Sequence, residues 1–469
     1  MTALEIQPPD PPPGLEIAPQ AAARRFALSI RERRVVLAAA DFVVAAVATL
    51  AAYGVLHKPK AHPLEGFEPL LIGAIWVVSL IVTDGYAPQI PSNRVESGVA
   101  VVKALPISAL FSVVVFFIHP YVLTRPILLG AIGLSAVLMI AVRTTVARVL
   151  LHESLATQVV VIADEQPNPE LVTALQAARF EYRVVGTVVR SRADTHDAPW
   201  IVEQASSALA RTGAQELIVS SNELRLVPGL IEECLTRGVR LVPGVSLVET
   251  YMGRVPLDSI DVHWYLGLPD SDVWKRPYAA ARRLLDLLLS VVVGVPFLVL
   301  FPLLALMIRL DSKGPVILTQ RRVGESGREF NLLKLRTMSA DAEAHGAQFA
   351  APKDPRITRV GRLLRATRLD EFPQLLNIIR GEMSFIGPRP ERPEFERDLE
   401  AKVPHFRSRL LIKPGLTGWA QIKGGYAGNV AEITRKLEYD LYYIKNRSFR
   451  LDLQILAGTF GTVLGWRGR

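Results

Sequence analysis

Residues 287–308 read LLLSVVVGVPFLVLFPLLALMI, an apolar run that is long enough to cross a bilayer. Basic residues flank it on both sides, and a simple span would put one of the two groups on the wrong side of the membrane. These residues are Lys275, Arg276, Arg282 and Arg283 before the run, and Arg309, Lys313, Arg321 and Arg322 after it. Pro296 and Pro302 interrupt the run, and each favours a bend because it removes a helical hydrogen bond. The pattern predicts a re-entrant helix over residues 283–309, with plain spanning as the alternative.

A re-entrant helix enters and leaves the membrane by the same face. The chain that follows it would then lie on the cytoplasmic membrane surface, where a water-soluble compound and a lipid headgroup can meet. Counting along the sequence does not decide whether Pro296 or Pro302 makes the break.

The bulk composition agrees with a membrane protein of more than one domain. The chain has 469 residues, half of them hydrophobic, and its mean hydropathy is +0.26. Its formal net charge of +9 suits anionic headgroups and phosphate substrates. No nucleic-acid-binding motif accompanies that charge, so nucleic acid is not an expected partner. Cys234 is the only cysteine, which excludes an intrachain disulfide, and the scattered histidines show no metal-ligand spacing.

Four apolar runs in the first third of the chain predict a four-helix transmembrane bundle over residues 34–150. The runs are Val35–Leu56, Pro69–Thr83, Ala104–Ile118 and Pro126–Val142. Arginines cluster before the first run and follow the fourth, so the positive-inside rule places both ends of the bundle in the cytoplasm. Asp41 lies inside the first run, where we expect it to pack against a neighbouring helix. The proline-rich start predicts a disordered tail over residues 1–33.

Residues 155–270 alternate short β-branched runs with helical patterns, which predicts a doubly wound, Rossmann-like α/β domain. The predicted strands are Val159–Ile162, Tyr182–Val189, Glu216–Val219 and Val239–Leu241. The first strand leads into Ala163-Asp164-Glu165-Gln166, without the glycines that a dinucleotide pyrophosphate requires. We therefore expect a structural or dimerising module with no bound dinucleotide, and a homodimer is one expectation for the chain.

The chemistry is expected in the third region, where Asp370 and Glu371 stand side by side. An apolar stripe follows them, with Pro373 suited to a first helical turn and Gly381 suited to the position just past the end. This pattern predicts that the two carboxylates lie at a helix N-terminus, where the dipole favours the ionised form. An ionised Asp370 is a candidate nucleophile and a candidate Mg²⁺ ligand.

Arginines surround the carboxylate pair in the sequence. Arg362, Arg365 and Arg368 come just before it, and Arg389 stands between Pro388 and Pro390. Proline on both sides restricts the backbone, which suits an arginine that must be aimed at an anion. Phosphoryl transfer requires positioning and charge neutralisation, and carboxylates, a metal ion and arginines supply both.

These residues resemble the signature of the bacterial sugar transferases, the polyprenyl-phosphate hexose-1-phosphate transferases. Further matching motifs cover nearly all of residues 280–469 in order. They are Arg283-x-x-Asp286, Gly314-Pro315-Val316, Gln320-Arg321-Arg322-Val323-Gly324, Lys334-x-Arg336-Thr337-Met338, Asp354-Pro355-Arg356-Ile357-Thr358, Lys413-Pro414-Gly415-Leu416-Thr417-Gly418-Trp419-Ala420-Gln421 and Tyr439-Asp440-x-Tyr442-Tyr443. The chain departs from the family pattern at Arg282, where lysine is common, and at Glu382, where aspartate is common.

The resemblance implies a reaction and a role for each matching residue. Asp370 would attack the sugar-proximal phosphate of a UDP-sugar, releasing UMP, and Glu371 would assist it. Undecaprenyl phosphate would then take the sugar phosphate from Asp370. Mg²⁺ would bind near Asp370 and the diphosphate. The implied substrate-binding residues are Lys334, Arg336, Arg365, Arg389, Arg283 and Gln421.

The resemblance also completes the predicted architecture. It is a multi-domain membrane protein with a helical transmembrane bundle, a Rossmann-like middle domain and a mostly α-helical catalytic domain over residues 273–469. The implied location is the bacterial inner membrane, with the active site facing the cytoplasm and phospholipid around the apolar segments.

Two rival functions remain open at this stage. A lipid-phosphate glycosyltransferase would move the sugar without its phosphate and release UDP. A non-catalytic membrane scaffold of polysaccharide export would have a decayed active site, whereas Asp370, Glu371, Arg365 and Arg389 are all present. No motif fixes which hexose is transferred or which polysaccharide is made.

Overall fold

The computed structural model divides the chain into two compact units, Met1–Gly253 and Arg254–Arg469. It describes residues 30–56, 67–86, 94–118, 124–150, 156–164, 168–179, 181–190, 198–220, 228–268, 272–339, 342, 354–424 and 429–464. Nearly all of the predicted disordered tail, residues 1–33, lies outside these ranges. The mostly helical character that the sequence predicts is confirmed.

The first unit begins with four apolar helices that correspond to the four predicted runs, with Thr83 of the second run lying one residue past its helix. They are α1 (Ile30–Leu56), α2 (Phe67–Val82), α3 (Arg94–Ile118) and α4 (Arg125–Leu150). Three of them, α1, α3 and α4, are long and apolar enough to cross a membrane, whereas α2 has 16 residues and is shorter. Large side chains such as Ile72, Trp76 and Met139 fill the interior of the bundle. Valine, leucine and phenylalanine side chains cover its outer face, as expected for contact with lipid.

A buried ionic cluster joins three segments of this bundle. Arg143 donates hydrogen bonds to the carboxylate of Asp41, the shortest at 2.7 Å, and to the carbonyl of Gly85 at 3.1 Å. The Tyr86 hydroxyl donates to the same carboxylate at 2.8 Å. Both members of the ion pair are fully buried. The prediction that Asp41 packs against a neighbouring helix is therefore confirmed.

Removing one partner of this pair should be far more damaging than removing both. Arg143→Met leaves Asp41 as an uncompensated buried charge, and we expect it to lower the free energy of unfolding by about 3–5 kcal/mol. The double variant Asp41→Leu/Arg143→Met should recover most of that loss. Denaturant unfolding in detergent micelles measures both effects. Arg125→Met, at the exposed start of α4, is the control. Equal losses in Arg143→Met and Arg125→Met would contradict the prediction.

A four-stranded, fully parallel sheet completes the first unit, with strand order β2-β1-β3-β4. The strands are β1 (Thr157–Asp164), β2 (Tyr182–Arg190), β3 (Glu216–Val219) and β4 (Arg240–Pro243). The helices between and after them are α5 (Pro169–Ala177), α6 (Ala198–Thr212), α7 (Pro228–Arg237) and α8 (Gly244–Met252). Apolar side chains of α5 and α8 pack on one face of the sheet, and those of α6 and α7 pack on the other. All four predicted strands are present, and the predicted parallel sheet is confirmed.

The second unit is built of helices around two short sheets. Its helices are α9 (Val262–Leu266), α10 (Asp272–Asp311), α11 (Arg359–Thr367), α12 (Leu375–Arg380), α13 (Pro393–Lys402), α14 (Trp419–Lys423), α15 (Val430–Lys445) and α16 (Phe449–Leu464). The strands β5 (Ile317–Val323) and β6 (Glu329–Leu335) form an antiparallel hairpin. The strands β7 (Ser384–Ile386) and β8 (Gly415–Thr417) pair in parallel.

The second unit starts earlier along the chain than the predicted boundary at residue 273. Val255 and Trp264 are buried in the main apolar core of this unit. The Val255 N–H also donates to the Glu438 carbonyl at 3.1 Å. The segment that begins at Arg254 therefore packs as part of the C-terminal unit.

The apolar run of residues 287–308 lies within α10, a helix of 40 residues. Pro296 and Pro302 are inside this helix, which the structure assigns without interruption. One side of α10 packs through Phe297, Leu304 and Ile308 onto the rest of the unit, and the other side exposes leucines and valines. Its length and composition suit a membrane span. The re-entrant path stays a prediction.

Candidate active site

Asp370 and Glu371 lie in a 3-10 turn, Leu369–Gln374, that connects α11 to α12. The sequence places them at the N-terminus of an α-helix, and this prediction requires a correction, because α12 begins only at Leu375. Arg368 adopts a left-handed conformation (φ 60°) that ends α11, and its carbonyl accepts a 3.1 Å hydrogen bond from the Glu371 N–H. Such 3-10 turns are common at helix ends. Gly381 follows α12 with φ 83°, as the sequence predicts.

Glu371 is held by Arg389. The Nη2 atom of Arg389 donates to Glu371 Oε1 at 2.7 Å, and Arg368 lies 3.5 Å from the same oxygen. Burial alone would raise the pKa of Glu371, but the positive charges of Arg389 and Lys334 and the hydrogen bond from Arg389 lower it. Glu371 is therefore an ionised carboxylate with a fixed partner.

Asp370 has a different environment, although it is the adjacent residue. It is buried, and no hydrogen bond or ion pair holds its carboxylate within the part of the chain that the structure describes. Burial and the neighbouring charge of Glu371 raise the pKa of Asp370 above its usual range. Burial therefore works against the helix-dipole effect that the sequence predicts for this carboxyl. The oxygens of Asp370 are free to take a ligand or to attack one.

Two cations from neighbouring elements contribute to the field at Asp370. Lys334 lies on β6, and burial together with the charge of Arg389 lowers the pKa of Lys334 to about 8. Arg365 lies on α11, and its Nε donates to the Thr337 hydroxyl at 2.9 Å. The charges of Lys334 and Arg365 both lower the pKa of Asp370, which opposes the effect of burial.

The loop that carries Arg389 is fixed through its carbonyl oxygens. Pro388 and Pro390 have no N–H to donate, so backbone donation by the loop is limited. Its four successive carbonyls, those of residues 388–391, all accept hydrogen bonds. The donors are, in chain order, the Gly415 N–H at 2.9 Å, the Arg409 guanidinium, the Arg322 guanidinium at 3.0 Å and the Val323 N–H at 2.9 Å. The other terminal nitrogen of Arg389 reaches the Gln421 amide oxygen at 3.5 Å.

Three glycines allow the strands behind this loop to approach closely. A Cβ atom on Gly415 would lie 2.1 Å from the Gly387 nitrogen, and one on Gly387 would lie 2.4 Å from the Lys413 carbonyl oxygen. A Cβ on Gly418 would lie 2.2 Å from the Gly387 carbonyl oxygen. No side chain fits at these distances. The glycines of the 413–421 motif are therefore explained by the packing that positions Arg389.

Two of the predicted substrate-binding residues donate hydrogen bonds to carbonyl oxygens at the ends of helices. Arg283 donates to the carbonyls of Ile378 and Ile379, the last turn of α12, at 2.6 Å each. Arg336 donates to the Ser312 carbonyl at 2.6 Å, just past the end of α10. The structure thus brings Lys334, Arg365, Arg389 and Gln421 to the carboxylate pair, and it engages Arg283 and Arg336 with carbonyl oxygens elsewhere.

The neighbours of Arg283 have a similar structural role. Asp286 accepts from the Phe385 N–H at 2.9 Å and from the Ser384 hydroxyl at 3.0 Å, so α10 and β7 are joined. Arg282 donates to the Ser384 hydroxyl and to the Ile386 carbonyl. The motif Arg283-x-x-Asp286 therefore fixes α12 and β7 against α10.

The sequence did not single out Arg409, which contacts the backbone of Arg389 directly. The sequence places Arg322 among the basic residues after the apolar run and in a family motif, but neither pattern predicts its contact with the Pro390 carbonyl. Nothing distinguishes Arg409 locally, since Arg407 stands two residues earlier. Only the fold shows that Arg409 is buried and that Arg407 is exposed.

A model of the bacterial sugar transferase family matches residues 277–466. The chain is also 38% identical over 176 residues to the exopolysaccharide production protein PSS of Rhizobium leguminosarum bv. phaseoli, a match that covers 36% of this chain and 86% of that protein. The chain belongs to the bacterial sugar transferase family. The resemblance that the motifs indicate is thereby confirmed.

Two further relatives of this sugar transferase match it over only about half of their own length. A UDP-N-acetylgalactosamine-undecaprenyl-phosphate N-acetylgalactosaminephosphotransferase of Aeromonas hydrophila is 41% identical over 219 residues, 47% of this chain and 51% of that protein. A UDP-glucose:undecaprenyl-phosphate glucose-1-phosphate transferase of Xanthomonas campestris pv. campestris is 38% identical over 247 residues, 52% of this chain and 47% of that protein. The chain spans about half the length of these two relatives.

The close strand contact behind the Arg389 loop gives a stability prediction for this family member. Gly415→Ala should lower the free energy of unfolding by about 1–3 kcal/mol, because its Cβ overlaps the Gly387 backbone. Denaturant unfolding in detergent measures the loss. The control is Gly294→Ala in α10, whose Cβ would make an ordinary 3.6 Å contact with Leu375, and it should be neutral or stabilising. A Gly415→Ala variant as stable as this control would show that the strands do not pack as described.

Proposed function

We propose that this sugar transferase moves a hexose 1-phosphate from a UDP-sugar to undecaprenyl phosphate. The observation that carries the proposal is the buried carboxylate of Asp370, which lies among Lys334, Arg365 and Arg389 and has no bonded partner among the described residues. The printed names of the Aeromonas and Xanthomonas relatives, which describe sugar-phosphate transfer to undecaprenyl phosphate, support the same reaction class. The step would begin the synthesis of an exopolysaccharide, O-antigen or capsule.

The proposed reaction has two displacements at one phosphorus atom. An oxygen of Asp370 attacks the sugar-proximal phosphorus of the UDP-sugar, and the bond from that phosphorus to the bridging oxygen breaks, so UMP leaves with the bridging oxygen. Asp370 then carries the sugar phosphate as an acyl phosphate. A phosphate oxygen of the lipid attacks the same phosphorus and frees the Asp370 carboxylate. The product is a lipid diphosphate sugar.

The surrounding residues have distinct roles in this proposal. Arg389 and Lys334 neutralise the diphosphate as charge shifts onto UMP, and Arg365 adds to that field. Glu371 keeps Arg389 aimed, since the two side chains are joined at 2.7 Å. Gln421 lies beside Arg389 and is suited to a polar group of the donor. Arg283 and Arg336 would contribute indirectly, by holding the helices that frame the site.

The donor set at Asp370 fits Mg²⁺ bound jointly with the substrate. No group of three or more acidic, histidine or cysteine side chains that could hold a metal occurs among the residues the structure describes. Mg²⁺ does not require such a group, because it is usually held by one or two carboxylates together with substrate phosphates. The carboxylate oxygens of Asp370 accept no hydrogen bond from any residue that the structure describes, whereas Glu371 is engaged by Arg389. Asp370 would hold the ion, which would neutralise diphosphate charge.

The proposed location is the cytoplasmic face of the bacterial inner membrane. The apolar helices of the first unit and α10 supply membrane segments, and a re-entrant α10 would keep the site on the cytoplasmic surface. UDP-sugars reach the site from water, and undecaprenyl phosphate reaches it from the bilayer. The α/β sheet would serve as a Rossmann-like structural or dimerising module.

The nucleotide product tests the proposed function against its rivals. Purified protein should release UMP from at least one of a panel of UDP-sugars when Mg²⁺ and undecaprenyl phosphate are present. Asp370→Asn should leave less than about one per cent of this activity, because an amide is not a nucleophile. Labelled sugar phosphate should be trapped on the wild-type protein in a hydroxylamine-sensitive form.

The control for this assay is Asp398→Asn, which changes an exposed aspartate that pairs with Lys402 at 2.8 Å on the surface of α13. It should keep wild-type turnover. Release of UDP would favour the glycosyltransferase alternative. Absence of both nucleotides with every donor would favour the scaffold alternative.

The re-entrant path of α10 has its own test. Accessibility tags inserted within residues 269–271 and after Arg469 should both report the cytoplasmic side, because a re-entrant helix returns to its starting face. A tag between Ile118 and Arg125 serves as the control and should report the opposite side. Tags on opposite sides of α10 would show that the helix spans the membrane.

A further inference from the structure

Arg409 is a buried arginine behind the loop that carries Arg389. It lies in the 3-10 turn Phe406–Leu411 and exposes only 6% of its surface. Its guanidinium faces two buried acids, Asp440 at 3.6 Å and Glu396 at 3.9 Å. The same guanidinium donates to the carbonyl oxygen of Arg389. One side chain therefore connects α13 and α15 to the backbone of a site residue.

A contribution to stability does not by itself explain why Arg409, Glu396 and Asp440 are buried together. Three charged side chains buried together lose hydration, and well-packed apolar residues of similar volume are often as stable or more so. An arginine supplies what an apolar residue lacks, which is a rigid planar fork with several donors at fixed angles. Here the fork donates to one carbonyl and lies within ion-pair distance of two acids, so a hydrogen bond and two opposite charges together favour its orientation.

The Arg389 carbonyl is the point in the loop where this support matters most. The carbonyls of Pro388 and Glu391, at the two ends of the loop, are held by backbone N–H groups. The two central carbonyls are held by side chains, and Arg409 supplies the bond at residue 389 itself. Pro388 and Pro390 already restrict this backbone, and the Arg409 bond fixes the remaining freedom of the peptide between Arg389 and Pro390. Losing the bond should therefore loosen the residue whose side chain reaches Glu371.

We propose that Arg409 is a positioning residue that fixes the backbone of Arg389 and, through it, the contact of Arg389 with Glu371 and the donor diphosphate. Glu396 and Asp440 hold Arg409 in place and neutralise its charge. The inference rests on the proposed function for its effect on turnover. Its effect on the loop is independent of any substrate.

Hydrogen–deuterium exchange tests the structural half of this inference. In Arg409→Met, amides in a peptide covering residues 385–392 should exchange at least severalfold faster than in the wild type. Arg407→Met is the matched control, since Arg407 is exposed in the same turn and pairs with the exposed Glu400 at 3.6 Å. It should leave that peptide unchanged. Equal exchange in Arg409→Met and the wild type overturns the inference.

A double-mutant cycle tests the functional half. Arg409→Met should lower kcat/KM for the UDP-sugar by about 10- to 100-fold, the size expected for a small misplacement of a site group. Arg389→Lys should lower it as well. The double variant should be little worse than Arg389→Lys alone, because both changes remove one contribution. Losses that multiply, or an unimpaired Arg409→Met, overturn the inference.

A second variant and a comparison of the two experiments allow the inference to be tested even if Arg409→Met does not fold or the wild type is inactive. Arg409→Lys keeps a positive charge between the two acids, so it replaces Arg409→Met in both experiments if the methionine variant does not fold. We expect it to fold with loop exchange and turnover between those of the wild type and Arg409→Met. Wild-type protein that releases no UMP would defeat the proposed function alone, and the exchange result would still decide whether Arg409 holds the loop.

Discussion

Several contacts of the C-terminal unit support the ion pair between Glu371 and Arg389. Its two members come from different elements, a 3-10 turn before α12 and a loop after β7, and they meet at 2.7 Å. Arg283 holds the far end of α12, and Asp286 holds β7. Glycines let β7 lie against β8. Residues that are far apart in the sequence therefore support the same 2.7 Å contact between Arg389 and Glu371. We expect a substitution at any of them to alter that contact through the backbone.

Two adjacent carboxylates acquire opposite properties from this arrangement. Glu371 has a cation in direct contact, so its pKa is lowered, and it is bound to a structural partner. Burial and the charge of Glu371 raise the pKa of Asp370, and no side chain within the described residues bonds to its oxygens. The contact with Arg389 therefore engages one carboxylate and leaves the other without a bonded partner in the described part of the chain. This asymmetry supports assigning the nucleophile to Asp370 on physical grounds, in agreement with what the family resemblance implies.

Periodicity and composition predicted the apolar helices, the four parallel strands and the glycine at the end of α12, because local patterns determine these features. The 3-10 turn was not predicted, since Arg368 has no local feature that demands a left-handed conformation. Motif matching grouped Arg283 and Arg336 with the substrate residues, although both bond to helix-end carbonyls. A motif identifies residues that family members share, but it does not say what each one contacts. Only the fold distinguishes a side chain near the carboxylate pair from one that bonds to the end of a helix.

The apolar helix and the reactive turn are in direct contact, which links membrane attachment to the site. Phe297 of α10 packs against Phe372, the residue after Glu371, with 5.2 Å between the two ring centroids. The opposite face of α10 exposes apolar side chains suited to lipid. A shift of α10 in the bilayer would therefore act on the turn through Phe297 as well as through Arg282 and Asp286. Under the proposed function, this contact would link the height of Asp370 relative to the membrane surface to the position of α10.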